Sequence, residues 1–130
     1  ATEPAIQVSV AVRLDTVVAS LASGRAHVEV PLSLRNDGTG EVYILPCEQR
    51  LQRDDGGRWS TVTSAKCLLV TGQEAKIGPG EQYLFTLVAE SGDGRDWSPV
   101  TIPGLYRVEL VVRAWPSSSV IVSSPFIVQY

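Results

Sequence analysis

The sequence predicts an all-β protein in which two antiparallel sheets pack face to face. Apolar and polar residues alternate with a period of two along most of the chain, which is typical of half-buried strands. Turn-forming segments interrupt this alternation at roughly the spacing of short sandwich strands. The 130 residues include 11 glycines, 8 prolines and no methionine, a composition typical of a loop-rich β protein. No stretch has a convincing helical period.

The first two predicted strands show the alternation most clearly. The segment IQVSVAVRL places on one face Ile6, Val8, Val10, Val12 and Leu14. The segment HVEVPLSLRN places Val28, Val30, Leu32 and Leu34 inside and His27, Glu29, Pro31, Ser33 and Arg35 outside. Pro31 lacks an amide hydrogen, which predicts an edge or a bulge there. Between these strands, DTVVASLASG fits a helical turn and an extended excursion equally well.

The rest of the chain continues the pattern. EVYILPC is apolar on both faces, which predicts a central strand, and EQRLQR and RWSTVTS flank the turn DDGG. QYLFTLVAE carries Tyr83, Phe85 and Leu87 on one side. In LYRVELVVRAW the alternate residues Tyr106, Val108, Leu110 and Val112 are predicted to face the core. VIVSSPFIVQY is predicted as the last strand, broken near Pro125. The serines on both sides of VIV indicate a flexible or edge segment there, and an apolar edge strand can pair with another chain. The total is about eight or nine strands.

Length and composition set limits on the function. We expect one domain over residues 1–130, with its core over about 6–128. Apolar residues make up 44% and charged residues 19%, and the net charge is −3. No basic stripe exists, which argues against a nucleic-acid partner, and no apolar window is long enough for a transmembrane helix. The opening ATEPAI resembles a mature start after removal of a signal or anchor segment; a trimmed domain or a leaderless cytosolic protein are the alternatives.

The two cysteines, Cys47 and Cys67, are separated by nineteen residues. That spacing does not suit a zinc site, which needs closely spaced ligand pairs, and it does not suit a redox pair. A disulfide that clasps the base of the DDGG hairpin is the favoured interpretation, and two buried free thiols are the alternative. The disulfide would stabilise the fold by about 3 kcal/mol in the chain-entropy model and would indicate an extracytoplasmic location.

The turn composition also predicts a register for this hairpin. A three-residue loop of Asp54, Asp55 and Gly56 would place Leu51 opposite Trp59 and Gln49 opposite Thr61. Cys47 would then lie near Thr63, so a direct rung between the cysteines is excluded. The chain would have to bend back after Ser64 to bring Cys67 to Cys47.

Few residues suggest chemistry. The only histidine, His27, has no nucleophile motif beside it, so we expect an ordinary surface residue, no catalytic site, no enzyme and no cofactor. Glu90, Asp93 and Asp96 lie near glycines and weakly suggest calcium, although a solvated loop is the simpler interpretation. Trp97 and Trp115 lie at strand or loop ends, where each either contacts a partner or caps the core.

Four segments together resemble a bacterial immunoglobulin-like domain, similar to the BsuPI-like (intracellular proteinase inhibitor) family and to related surface and lipoprotein modules. They are VPLSLRNDGTGEVYI, LQRDDGGRW, IGPGEQYLFTLV and PGLYRVELVV. The resemblance covers about residues 6–128 and implies an immunoglobulin-like antiparallel sandwich. Tyr106 resembles the tyrosine corner of such sandwiches, but Val108 stands where antibody domains carry a cysteine.

These observations favour a non-catalytic protein-interaction or structural module of a bacterial extracytoplasmic protein, either periplasmic, secreted or lipid-anchored. Its expected partner is another protein, and a monomer is favoured. A proteinase inhibitor is the alternative that the resemblance implies. A carbohydrate-binding module is the second alternative, in which Trp97 or Trp115 would contact a glycan.

Overall fold

A computed structural model describes residues 6–22, 25–45, 48–64, 75–90, 103–114 and 116–130. These ranges form a β-sandwich of two sheets in which nearly all pairings are antiparallel, as the sequence predicts. The strands are β1 Val8–Val12, β2 Thr16–Val18, β3 Ser20–Ala22, β4 Arg25–Asn36, β5 Val42–Ile44, β6 Gln49–Asp54, β7 Trp59–Ser64, β8 Ala75–Ile77, β9 Gln82–Glu90, β10 Gly104–Ala114, β11 Ser117–Val122 and β12 Phe126–Gln129.

The smaller sheet is built around β4. One side of β4 pairs with β9 over nine rungs, from His27↔Glu90 to Arg35↔Gln82. The other side pairs first with β3 and then with β1. Residues at alternate positions of β4 face the larger sheet and are fully buried, as the alternation predicts: Val28, Val30, Leu32 and Leu34.

Pro31 explains where β1 leaves β4. The Arg13 amide donates to the Pro31 carbonyl at 2.9 Å, but the reciprocal bond needs an amide hydrogen that proline lacks. The β1–β4 ladder therefore ends at the preceding rung, Val12↔Leu32. This confirms the predicted edge, because β4 has no described neighbour on that side until β3. It also explains why Leu14, predicted to be inside, is 51% exposed.

The larger sheet is built around β10. On one side β10 pairs with β12 and then with β11; on the other it pairs with β6 and then with β5. Beyond these, β7 pairs with β6, β8 with β5, and β2 runs parallel to β12. The structure has twelve described strands rather than eight or nine because short strands share the edges of β4 and β10. DTVVASLASG contributes β2 and β3, so its extended interpretation is correct.

Side chains from both sheets fill the space between them. β10 contributes the four residues expected from its alternation, Tyr106, Val108, Leu110 and Val112, none more than 1% exposed. The Tyr106 and Phe126 rings lie 6.4 Å apart. The Arg53 side chain lies near this end of the core, and the pKa of its guanidinium is raised first by a hydrogen bond to Asp55 and then by one to Tyr106.

The DDGG hairpin does not have its predicted register. Asp54 pairs with Trp59, so the loop is Asp55–Arg58, closed by a bond from the Asp55 amide to the Arg58 carbonyl. Gly56 and Gly57 both have positive φ, 72° and 93°, and the Gly57 amide donates to the Asp54 carboxylate at 2.7 Å. Two adjacent left-handed glycines therefore lengthen the turn by one residue.

A bulge in β7 shifts the register again. The ladder changes between Leu51 and Gln52, which leaves Val62 without a partner of its own. Leu51 consequently opposes Thr63 rather than Trp59, and Gln49 does not oppose Thr61. Arg50 opposes Ser64 at the last described rung. The predicted register that placed Cys47 near Thr63 is therefore not the observed one, because Leu51 opposes Thr63. Cys47, Cys67 and the predicted bend after Ser64 lie outside the described residues.

Asn36 joins the two sheets where β4 ends. Its side-chain amide donates to the carbonyls of Gly40 and Ile77 at 2.8 and 3.0 Å, and its side-chain oxygen accepts from the Gly38 amide. Its main chain bonds Gly80 and Glu81 in the turn that leads into β9. The residue is fully buried, so no water replaces these partners easily when the side chain is removed.

We expect Asn36→Ala to destabilise the protein by roughly 2–4 kcal/mol, because truncation removes the partner of the buried Ile77 carbonyl and of two partly buried main-chain groups, in Gly38 and Gly40. Urea unfolding followed by circular dichroism measures this loss. The matched control is Asp37→Ala, which removes an exposed carboxylate paired with Arg35 and should change stability by less than about 0.5 kcal/mol. Equal losses in both variants would contradict the role given to Asn36.

Candidate functional site

The outer face of the larger sheet carries five exposed aliphatic side chains along one margin. Because side chains alternate across a strand, the residues that flank the buried positions of β2, β10, β11 and β12 point away from the core. The five, named here the aliphatic strip, are Val18 (66% exposed), Leu105 (37%), Val120 (60%), Val122 (44%) and Ile127 (47%). Leu105 opposes Ile127 across the β10–β12 ladder, and Val120 and Val122 lie two positions apart on the same face of β11.

The other half of the same face is polar. Arg107 donates to the Gln52 side-chain oxygen at 2.7 Å, and the Gln52 nitrogen donates to the Glu109 carboxylate at 3.0 Å. The Arg107 guanidinium also lies 4.6 Å from the centre of the Trp59 ring, a cation–π distance. Arg50 lies 3.7 Å from the Glu109 carboxylate. These five side chains form the polar network of β6, β7 and β10.

All charged side chains on the outer face of β10 turn towards β5 and β6 and away from the strip. Arg107 and Glu109 join the polar network, and Arg113 forms an ion pair with Glu48. The face is thereby divided lengthwise along β10. One half holds mutually paired polar groups, and the other exposes aliphatic groups to water.

The β11 strand forms the open margin of the aliphatic half. Among the described strands β11 hydrogen-bonds only to β10, which confirms that this segment is an edge. At its end the Ser123 amide donates to the Val108 carbonyl at 2.8 Å, and the Val108 amide donates to the Ser123 hydroxyl at 2.9 Å. Ser123 is 5% exposed, so its hydroxyl replaces a main-chain acceptor where the chain passes from β11 to β12.

His27 lies on the outer face of the smaller sheet, as predicted, but it is not isolated. Its two ring nitrogens lie 3.2 Å from the Glu29 carboxylate and 3.3 Å from the Glu90 carboxylate. The hydrogen bond to Glu29 raises the pKa of His27, partial burial opposes this, and Glu90 raises it further. The sequence shows Glu29 two positions along the same strand face, but it does not show that Glu90 lies opposite.

Most of the predicted site residues lie outside the described residues: Cys47, Cys67, Asp93, Asp96, Trp97 and Trp115. Glu90 is described, and it faces His27. Within the described ranges no group of three or more His, Cys, Asp or Glu side chains is arranged to hold a metal ion. The same ranges contain no helix with the length and apolarity needed to span a bilayer.

The sequence contained one signal for the aliphatic strip. Residues 116–130 include no charged side chain, and they follow a strand, β10, whose outward positions are mostly charged. Which charges would be paired, and in which direction they would point, depends on strand neighbours that the sequence alone did not identify.

No protein-family model matches the sequence, and no curated protein matches it. Solved structures do match in fold. A Bordetella pertussis protein provisionally named ApaA is 16% identical, with 95% of this chain and 92% of that chain covered and a TM-score of 0.53. A Bacillus subtilis protein, YcdA, provisionally classed as a lipoprotein, is 11% identical over 92% of this chain and 37% of that chain, with a TM-score of 0.55.

An Archaeoglobus fulgidus protein is similar in fold as well, with 12% identity, 96% of this chain and 97% of that chain covered, and a TM-score of 0.51. At these identities the likeness concerns the fold alone. The sandwich fold is therefore shared with these two bacterial proteins and this archaeal protein.

The carboxylates around His27 predict a pH dependence. A histidine whose pKa is raised on folding stabilises the protein fully below its unfolded pKa of about 6.5, and this contribution is lost as pH rises through the folded value. We expect stability to fall between pH 6 and 8 by less than about 1 kcal/mol, because the groups are partly exposed.

His27→Gln should remove that fall, as measured by urea unfolding at several pH values. His27 is the only histidine, so its imidazole resonance can be titrated by NMR without ambiguity. A midpoint at or below the ordinary histidine pKa would contradict the role of Glu29 and Glu90.

Proposed function

We propose that this protein is a non-catalytic protein-interaction module of a bacterial extracytoplasmic protein. The observation that carries the proposal is the divided outer face of the larger sheet. Exposed aliphatic groups gathered along one margin beside a polar border are typical of surfaces that bind other proteins. The five residues of the aliphatic strip come from four strands of a rigid sandwich, so the surface exists before any partner binds.

The strength of such binding can be bounded. Burying an aliphatic side chain fully contributes about 1.5–3 kcal/mol, and the strip residues are already about half buried. Covering all five therefore contributes roughly 5 kcal/mol, while association costs about 4–15 kcal/mol. The strip alone supports at most a transient contact, so a stable complex needs further interactions at its border.

Photo-crosslinking tests this proposal. A benzophenone amino acid at Val122 or Ile127 should give a discrete adduct with another protein in the envelope of the source bacterium, identified by mass spectrometry. A second substitution, Leu105→Glu, should abolish that adduct because it places a charge inside the strip.

The matched control position is Leu84, which is 55% exposed on the smaller sheet and should give no adduct. The proposal is wrong if the strip positions give no adduct, or if position 84 crosslinks to the same protein with the same yield. Circular dichroism confirms that each variant retains the fold.

The extracytoplasmic location is supported by the even cysteine count and by the fold that the chain shares with YcdA. We propose that Cys47 and Cys67 form a disulfide in the mature protein. The similarity to BsuPI-like and lipoprotein modules rests on the sequence segments alone.

Thiol titration tests the disulfide. Protein purified from an oxidising compartment and denatured without reductant should show no reactive thiol, and two should become reactive after reduction. Cys67→Ser should lower the free energy of unfolding by about 3 kcal/mol relative to oxidised wild type. Two reactive thiols in the denatured protein without reductant would rule the disulfide out.

A further inference from the structure

We infer that the partner binds by adding an extended strand to the outer edge of β11, and that this strand is uncharged and carries aliphatic side chains at alternate positions. This inference rests on the proposed function, because it specifies how the same surface is used. It supplies the additional interactions that the aliphatic strip needs, namely main-chain hydrogen bonds.

The backbone of β11 presents hydrogen-bonding groups to its open edge. The bond from the Ser123 amide to the Val108 carbonyl identifies this rung as a hydrogen-bonded pair. Such pairs alternate along an antiparallel ladder with pairs whose amide and carbonyl groups point away from the neighbour. In the observed register, the groups that point to the open edge belong to Ser118, Val120 and Val122.

The β11 edge lacks the usual protection against strand pairing. Exposed edges are normally blocked by charges, by proline within the strand or by bulges. Ser117–Val122 contains no charge and no proline, and its pairing with β10 is unbroken over six rungs. Among the described residues the edge is therefore regular and has no second strand hydrogen-bonded to it, the arrangement used in strand addition.

The charges near β11 define the chemistry of the incoming strand. Arg107, Glu109 and Arg113 are already paired on the far side of β10, and residues 116–130 carry no charge. A charged side chain placed over the aliphatic strip would lose water without gaining a counter-charge. The edge consequently favours an uncharged partner.

The side chains of β11 define the alternation. Residues directly opposite each other in a strand pair lie on the same face, so every second residue of the added strand lies beside Ser118, Val120 or Val122. Two of these three are exposed aliphatics. Valine or isoleucine at alternate positions of the partner would extend the strip sideways, and the residues between them face the opposite side of the sheet.

A synthetic peptide tests the inference. The probe is a blocked, fluorescein-labelled peptide of alternating threonine and valine with soluble Gly-Ser ends, and binding is followed by fluorescence anisotropy. We expect saturable binding with a dissociation constant below about 1 mM. N-methylation of alternate peptide amides, or lysine in place of the valines, should weaken binding by about tenfold or more.

Two variants at one position separate strand addition from contact with the face alone. Val120→Pro removes an amide that points to the open edge and is tolerated on an edge strand, so it should weaken peptide binding by about tenfold or more. Val120→Thr keeps that amide and the branched shape, and should weaken binding by less than about threefold. Thermal unfolding verifies that both variants are folded.

The outcomes are distinct. Binding that is insensitive to N-methylation and to Val120→Pro, or no binding at about 1 mM peptide, overturns strand addition, while crosslinking at Val122 still decides the proposed function. Concentration-dependent dimers in analytical ultracentrifugation that Val120→Pro abolishes would show a second copy of this chain at the edge and would overturn the assignment to a separate partner.

Discussion

The fully buried side chain of Asn36 fixes how the two sheets are joined. The chain crosses from the smaller to the larger sheet after β4 and returns after β8, and Asn36 bonds both crossings. Its side chain bonds Gly40 in the turn before β5 and Ile77 at the end of β8, while its main chain bonds the turn into β9 in the smaller sheet. An amide side chain can donate to two carbonyls and accept from an amide at once, and the Asn36 side chain does so with Gly40, Ile77 and Gly38. Asn36 therefore links the crossing into β5 to the crossing into β9.

From that junction the larger sheet extends around β10, which has neighbours on both sides along its length. A central strand of this kind has two faces with different tasks. Its inner residues fill the core, and its charged outer residues pair with groups on the β6 side of the strand, namely Glu48, Gln52 and Trp59. The β11 side of the face receives no charge of its own. This side of the face is aliphatic for two reasons: its own outward residues include valines, and the charged residues of β10 pair on the opposite side of that strand.

The sequence predicts the sandwich well because the alternation of β1, β4 and β10 is strong and each of these strands buries one face. It predicts the interrupted pairing at Pro31 because proline has no amide hydrogen to donate to a neighbouring strand. It fails at the β6–β7 hairpin for a physical reason. Gly56 and Gly57 permit more than one turn length, and a bulge at Val62 leaves the apolar pattern nearly unchanged while it shifts every rung beyond it.

The aliphatic strip could not be predicted for a related reason. Its members lie far apart in the sequence, from Val18 to Ile127. They lie along one margin of the sheet because β2 runs parallel to β12 while β11 and β12 share one side of β10. The hydrophobic pattern marks such residues as outward-facing and isolated, which usually needs no explanation. The strand topology places them along one margin, beside an edge whose amide and carbonyl groups face outward. A protein that uses this edge would bind along a margin where, among the described residues, β11 carries no charged side chain and no second strand is hydrogen-bonded beside it.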